Sequence, residues 1–311
     1  MCCTESHEAD EVTRGKYGFP HPRFFRLVKC GGVIQKSFRV KRLLLRLVRV
    51  CVLVYVGLCL LVAGCQNKML YFPTKHTEAS AVERAAENRL EPWRDAHGKL
   101  IGWKRPAPRA AARLVVFHGN AGCASDRTYY ADAFGALAGG AAWEVFILEY
   151  PGYGSRDGSP GKNSFIAAGR AAMEDLLASD ERPIFLLGES VGSGTAAALA
   201  GAMPEKIAGV VMVIPFARLE EVAKEKFPWL PVSLLLRDKF DNIAALANYK
   251  RPVAVVVAEN DEILGAAQGR KLHEAYAGPK KLIVLPGATH NNFPNHPGAQ
   301  WFRDASDFVR R

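Results

Sequence analysis

Six short apolar runs punctuate the chain beyond residue 112: Arg113–Phe117, Trp143–Leu148, Pro183–Leu187, Gly209–Ile214, Val253–Val257 and Lys281–Leu285. Each is bounded by Gly, Pro or Asp, and each is apolar continuously rather than alternately, the pattern of strands buried on both faces. Longer stretches rich in Ala and Leu lie between them, residues 164–178 and 192–203 among them, and these are long enough for crossover helices. The alternation predicts an α/β fold, a mostly parallel sheet with helices on both faces. In such a sheet the functional groups belong on loops at the carboxyl ends of the strands.

A different pattern stands ahead of these runs. Val50 to Gly64 are 15 residues without a charge, directly preceded by Lys41, Arg42, Arg46 and Arg49. That is the arrangement of a secretory h-region behind a basic n-region. Counted from Leu43 the stretch reaches 22 residues, which leaves open an uncleaved spanning helix with Arg46 and Arg49 snorkelling and the basic flank cytoplasmic. The chain therefore divides into a basic segment 1–49, a signal or anchor segment 50–65 and one α/β domain, 66–311. Segment 1–49 is longer than an n-region needs and reads as irregular, with Pro20, Pro22 and Gly31-Gly32. A true start nearer Val33 or Val40 is expected. Acylation of Cys2 and Cys3 is a rival route to the membrane.

Composition changes this picture little, but charge narrows it. The 311 residues are 49% hydrophobic and 23% charged, as in an average globular protein, and the formal net charge is +10. Residues 1–49 hold 11 basic and 4 acidic side chains, which leaves 30 basic and 27 acidic over the remaining 262. The domain is nearly neutral, which excludes nucleic acid as its partner, since counterion-driven binding needs a concentrated basic face. Six of the seven cysteines fall within the first 65 residues, so Cys123 stands alone in the domain and no disulfide framework exists there.

The loops after the predicted strands carry the chemistry. Gly188-Glu189-Ser190-Val191-Gly192 is a G-x-S-x-G between a strand and an Ala-rich helix, the context a nucleophile elbow requires. A serine on so sharp a turn is strained, and only very small side chains fit two residues to either side. The helix that follows aims its amides at any oxyanion formed there. A serine needs a base and the base an orienting acid. Asp261 lies in Ala258-Glu259-Asn260-Asp261-Glu262 and His290 in Pro286-Gly287-Ala288-Thr289-His290, both after strands and in the order Ser, Asp, His. Glu259 and Glu262 are expected to face solvent. No metal or organic cofactor is expected: His-Glu-x-x-His and Cys-x-x-Cys do not occur, and Pro160-Gly161-Lys162-Asn163 fails the Walker pattern at its last position.

His118-Gly119-Asn120-Ala121-Gly122, Glu149-Tyr150-Pro151-Gly152-Tyr153-Gly154, the serine elbow, Asn260-Asp261-Glu262 and Thr289-His290-Asn291 together resemble the α/β-hydrolase superfamily. Within it the sequence is similar to the BEM46-like group, related to the membrane-associated α/β-hydrolase domain proteins 13 and 17. The resemblance covers residues 68–311 and takes in Leu70-Tyr71-Phe72-Pro73. It implies Ser190 as nucleophile, His290 as general base then acid, and Asp261 as its orienter. It further implies an oxyanion hole from the backbone N–H groups of Val191 and Asn120, with Ala121 as an alternative to Asn120, and a structural role for His118. Cys123 reads as a small buried filler. Relatives often have a proline where Leu264-Gly265 stands here, and the residues flanking the serine, Glu189 and Val191, vary within the family. Separately, Leu61-Val62-Ala63-Gly64-Cys65 resembles the lipobox of bacterial lipoprotein signal peptides, which implies Cys65 as a lipidated mature N-terminus. Gln66 at the next position then points to the outer membrane, with the hydrolase domain outside the cytoplasm.

Residues 215–251 are longer than one crossover helix needs and contain Phe227-Pro228-Trp229-Leu230-Pro231, at the place where the superfamily inserts lids. An apolar lid would favour acyl chains, whereas the same residues could simply complete the core. The expected function is a membrane-anchored serine hydrolase acting on carboxylic esters or thioesters through an acyl-enzyme. An aminopeptidase or amidase using the same three residues, and a silent lipid-anchored scaffold, are the alternatives that remain open.

Overall fold

The computed structural model describes residues 31–137 and 143–311. Two compact units divide the chain, the first ending at Tyr55 and the second running from Val56 to Arg311. The described residues of the first unit belong to α1 (Gly31–Leu70), a single helix of 40 residues, so the stretch 31–49 that reads as irregular is helical. Gly31-Gly32 opens the helix rather than interrupting it, and no proline follows until Pro73. The part of α1 from Arg39 onward is long and apolar enough to cross a membrane. Expectations for residues 1–30, including Cys2 and Cys3, lie outside the described residues.

The second unit follows in chain order: β1 (Phe72–Pro73), α2 (Glu78–Glu87), β2 (Glu91–Arg94), β3 (Leu100–Arg105), β4 (Ala112–Phe117), β5 (Ala121–Gly122), α3 (Thr128–Ala136), β6 (Trp143–Leu148), α4 (Lys162–Ser179), β7 (Ile184–Glu189), α5 (Val191–Ala202) and β8 (Ile207–Val213). Then come α6 (Leu219–Lys226), α7 (Val232–Leu235), α8 (Asn242–Ala245), β9 (Val253–Ala258), α9 (Ala266–Ala275), β10 (Lys280–Leu285) and α10 (Gln300–Val309). The eight-stranded sheet has the order β10-β9-β8-β7-β4-β6-β3-β2. All six predicted strands are in it, and every pairing among them is parallel.

Two strands that the apolar runs do not announce, β2 and β3, add an antiparallel edge. A tight turn makes antiparallel pairing possible: the Asp95 carboxylate accepts the N–H groups of His97 (3.0 Å) and Lys99 (2.9 Å), an Asx-type turn. The core is split by the sheet. Val115 and Phe117 of β4 face one layer with Met173 of α4 and Leu199 of α5, while Leu114 and Val116 face the other with Phe134 of α3 and Phe302 of α10. Each such side chain removed wholly from water contributes about 1.5–3 kcal/mol, which is why a strand buried on both faces can dispense with polar residues.

Strand order positions the site. From β4 the chain goes first to β6 on one side and next to β7 on the other, so the sheet reverses direction of growth at β4. Loops leaving β4 and β7 diverge there, and a crevice opens at their carboxyl ends.

Candidate active site

Ser190 sits between β7 and α5 with φ 51° and ψ −117°, in the region that side chains ordinarily avoid. The turn is possible because the residues two positions to either side, Gly188 and Gly192, are glycines. A Cβ at Gly188 would come within 2.6 Å of the Gly192 carbonyl oxygen and the Ser193 Cα, and one at Gly192 would be driven into the carbonyl oxygens of Phe117 and His118. Hydrogen bonds hold the strained residue in place: its N–H donates to the Val213 carbonyl (2.9 Å), and its own carbonyl accepts from the Ser193 hydroxyl (2.6 Å). Asn242 of α8 in turn donates to Ser193 Oγ at 3.0 Å. Strain of this kind costs about 1–3 kcal/mol and persists only where the surroundings over-determine it.

His290, on the loop after β10, places Nε2 3.1 Å from Ser190 Oγ, and its Nδ1 lies 2.9 Å from Asp261 Oδ2 on the loop after β9. The other carboxylate oxygen of Asp261 accepts the N–H groups of Ile263 (2.9 Å) and Leu264 (2.8 Å). Burial works against ionisation of Asp261, but the hydrogen bond and charge of His290, together with those two amides, outweigh it and hold the carboxyl below its usual range. An ionised carboxylate is acceptor-only, so the imidazole proton belongs on Nδ1 and a neutral His290 presents a bare Nε2 to the serine hydroxyl. Both side chains are almost wholly buried. Glu259 and Glu262 are exposed as expected, yet each brackets the loop after β10: Glu259 accepts from the Gly287 N–H at 3.0 Å and Glu262 from the His290 N–H at 3.3 Å.

The loop after β4 completes the crevice. Asn120 and Ala121 border the same cavity as Ser190 and Val191. Val191 is the first residue of α5, where an N–H has no intrahelical acceptor. Asn120 is fixed from three sides: its carbonyl accepts from Phe72 N–H (2.9 Å) and the Tyr153 hydroxyl (2.7 Å), and its side-chain amide donates to the Leu70 carbonyl (3.0 Å). His118 is fully buried, with Nδ1 2.8 Å from the Gly119 carbonyl oxygen and its ring 4.3 Å from that of Tyr150.

Residues 112–247 match the α/β-hydrolase fold family. An uncharacterised protein of Mycobacterium tuberculosis, Rv2307c, is 34% identical over 255 residues, covering 80% of this chain and 88% of its own. The chain belongs to the α/β-hydrolase family. The fission-yeast (Schizosaccharomyces pombe) protein bem46 is 26% identical over 210 residues, 65% of this chain and 69% of its own. Among solved structures, the esterase Pf2001 of Pyrococcus furiosus superposes with a TM-score of 0.57 at 15% identity, over 78% of this chain and 97% of that one. That likeness is one of fold.

Behind the serine this α/β hydrolase has a buried polar shell that the sequence does not announce. Glu189 accepts from Arg127 Nε (3.1 Å), the Tyr129 hydroxyl (2.7 Å) and the Tyr130 hydroxyl (2.9 Å). Burial disfavours its charge, but the Arg127 guanidinium and the two phenols prevail and keep its carboxyl below the usual range. Glu149 accepts the Ala124 N–H at 3.0 Å and stands 3.5 Å from His118 Nε2, tying the carboxyl end of β6 to the loop after β4. Each carboxylate stands at the end of an apolar run and inside a motif that carries the family resemblance, but nothing in the sequence names its buried partners. Burial pushes the Cys123 thiol up to about 11, and its Sγ lies 3.3 Å from Ser125 Oγ, so Cys123 is an inert, packed thiol in the hydrolase. Among the described residues no group of three His, Cys, Asp or Glu is placed to hold a metal ion.

A cavity of about 780 Å³ opens from Ser190 and His290. Segment 215–251 both contributes to the core and lines this space. Phe216, Phe240 and Tyr249 are fully or almost fully buried, while Phe227, Leu230 and Leu235 line the cavity. Its walls are mostly apolar, the character of sites that accept hydrocarbon.

Proposed function

We propose that this α/β hydrolase is a membrane-anchored serine hydrolase that cleaves carboxylic esters or thioesters through an acyl-enzyme. The observation that carries the reading is the hydrogen-bonded chain Ser190 Oγ, His290 Nε2, His290 Nδ1, Asp261 Oδ2, with steps of 3.1 Å and 2.9 Å, in the wall of an apolar cavity. In this mechanism Ser190 Oγ attacks the acyl carbonyl carbon while its proton passes to His290 Nε2. The Asp261 carboxylate stabilises the imidazolium so formed without taking its proton. The N–H groups of Val191 and Asn120 receive the developing oxyanion. Collapse of the tetrahedral intermediate expels the alcohol or thiol, which takes the proton from His290 and leaves the acyl group on Ser190. Water, deprotonated by His290, then releases the carboxylic acid and restores the serine.

Segment 215–251 serves as the lid in this reading, and α1 as the anchor, with Lys41, Arg42, Arg46 and Arg49 on the cytoplasmic side and the domain outside the cytoplasm. Fluorophosphonate labelling of the full-length protein, with Ser190→Ala and His290→Ala beside it, tests the assignment together with turnover of short acyl esters. Labelling and turnover confined to the wild type are expected. Undiminished hydrolysis by Ser190→Ala, or a folded wild type that does not label, would overturn it.

A further inference from the structure

The end of α1 is built into the hydrolase unit. Of residues 56–70, Cys59, Val62, Ala63, Gln66 and Leu70 are the ones withdrawn from solvent. They recur at intervals of three to four residues and so form one stripe along the helix. Val62, Ala63, Gln66 and Leu70 from that stripe line the cavity that holds Ser190.

Polar contacts hold the stripe in register. The Gln66 amide donates to the Leu235 carbonyl at 3.1 Å and accepts the Arg237 N–H at 2.9 Å, satisfying two main-chain groups of the segment that lines the cavity. The Leu70 carbonyl accepts from the Asn120 side chain, and Phe72-Pro73 pairs in parallel with Ala121-Gly122. Cleavage before Cys65 would leave these contacts in place but take away Val62 and Ala63, two of the residues that line the cavity. Cys65 lies off the stripe and is exposed.

The cavity mouth has a matching character. Met69, Phe72, Phe227 and Ile263 line the cavity yet remain 47%, 51%, 38% and 41% exposed. An apolar rim of this kind, continuous with a helix fit to cross a membrane, is suited to contact with lipid.

We propose that Val62 to Leu70 of α1 are a permanent wall of the acyl cavity, that Val62 and Ala63 are specificity-determining residues for acyl-chain length, and that the chain is not cut before Cys65. The proposal rests on Ser190 being the nucleophile. Leu70 is bonded to the loop beside Ser190, and Ala63 lies seven residues back, about 10 Å along the helix axis. An acetyl group ends far short of Ala63, whereas a long acyl chain runs past it. The substrate class is therefore an ester or thioester carrying a long acyl chain.

The full-length enzyme in detergent, given acetyl, octanoyl and palmitoyl p-nitrophenyl esters, tests the wall. Ala63→Trp is expected to lower kcat/KM for the palmitoyl ester by about 10-fold or more relative to the acetyl ester, with Ser190 still labelled by fluorophosphonate. Gly64→Trp, at an exposed position with nothing within 4 Å of a new Cβ, is expected to leave that ratio alone. A labelled Ala63→Trp enzyme whose ratio does not move overturns the wall. A wild type that fails to label overturns the serine-hydrolase reading instead. Independently of any variant, the tryptic peptide from Val50 to Lys68 of membrane-purified protein is expected intact. A new N-terminus at Cys65 overturns the proposal outright.

Discussion

The Glu189 carboxylate, one residue before Ser190, accepts a hydrogen bond from Arg127 Nε at 3.1 Å with both side chains largely withdrawn from solvent. The pair ties α3 and its lead-in to the carboxyl end of β7, and the strained elbow grows directly from it. Removing one member strands the other as a buried charge. Arg127→Met is therefore expected to destabilise the fold by about 3–5 kcal/mol. The double variant Arg127→Met, Glu189→Gln should recover much of that loss. Urea unfolding midpoints of the two variants against wild type check both statements.

Asp261 is expected to matter to rate far more than to structure. Asp261→Asn keeps the shape of the site but lets the imidazole proton settle on Nε2, where it cannot accept from Ser190. A fall in kcat of about four orders of magnitude is expected, with KM nearly unchanged. Steady-state kinetics on a short acyl ester measures it, and a loss below about 10-fold would remove Asp261 from the orienting role.

Stability should depend on pH at the acid end. The carboxyls of Asp261 and Glu189 are both held below their ordinary range in the fold. On falling pH the unfolded chain therefore binds protons at these groups before the folded chain does. Their stabilisation is complete above the ordinary carboxylate range near about 4 and is lost as pH falls through the lower folded-state values. Urea midpoints taken from about pH 7 down to about pH 3 should drop steeply at the acid end, and Asp261→Asn should flatten that slope.

Cys123 should be silent toward alkylation. Its thiol is buried and pushed up to about 11, so almost no thiolate exists near neutrality. Iodoacetamide at about pH 8 is expected to leave the Cys123 peptide unmodified in the native protein and to modify it fully in urea, as read by mass spectrometry. Cys123→Ala should retain ester turnover.

Much of the fold was legible because a strand buried on both faces must be apolar throughout, and six such runs became β4 and β6 to β10. The Ser, Asp and His loops were legible for a related reason: local turn chemistry, above all Gly188 and Gly192 around Ser190, constrains residues that are neighbours in the chain. Strands β2, at the sheet edge, and β3, paired with both β2 and β6, were not, since Glu91 and Arg94 in β2 and Lys104 and Arg105 in β3 cut their apolar stretches short. An edge strand needs burial on fewer sides, so its sequence carries less of the periodicity that would reveal it.

By itself the sequence determined the strands, the turn that strains Ser190 and the order of the three polar loops, because each follows from a few adjacent residues obeying steric and hydrophobic rules. Tertiary structure alone decided that Glu189 would be charged and satisfied among Arg127, Tyr129 and Tyr130, and that Gln66 would face Leu235 and Arg237. These partners are brought together by packing across long loops, and hydrogen bonding across such separations leaves no periodic trace in the chain.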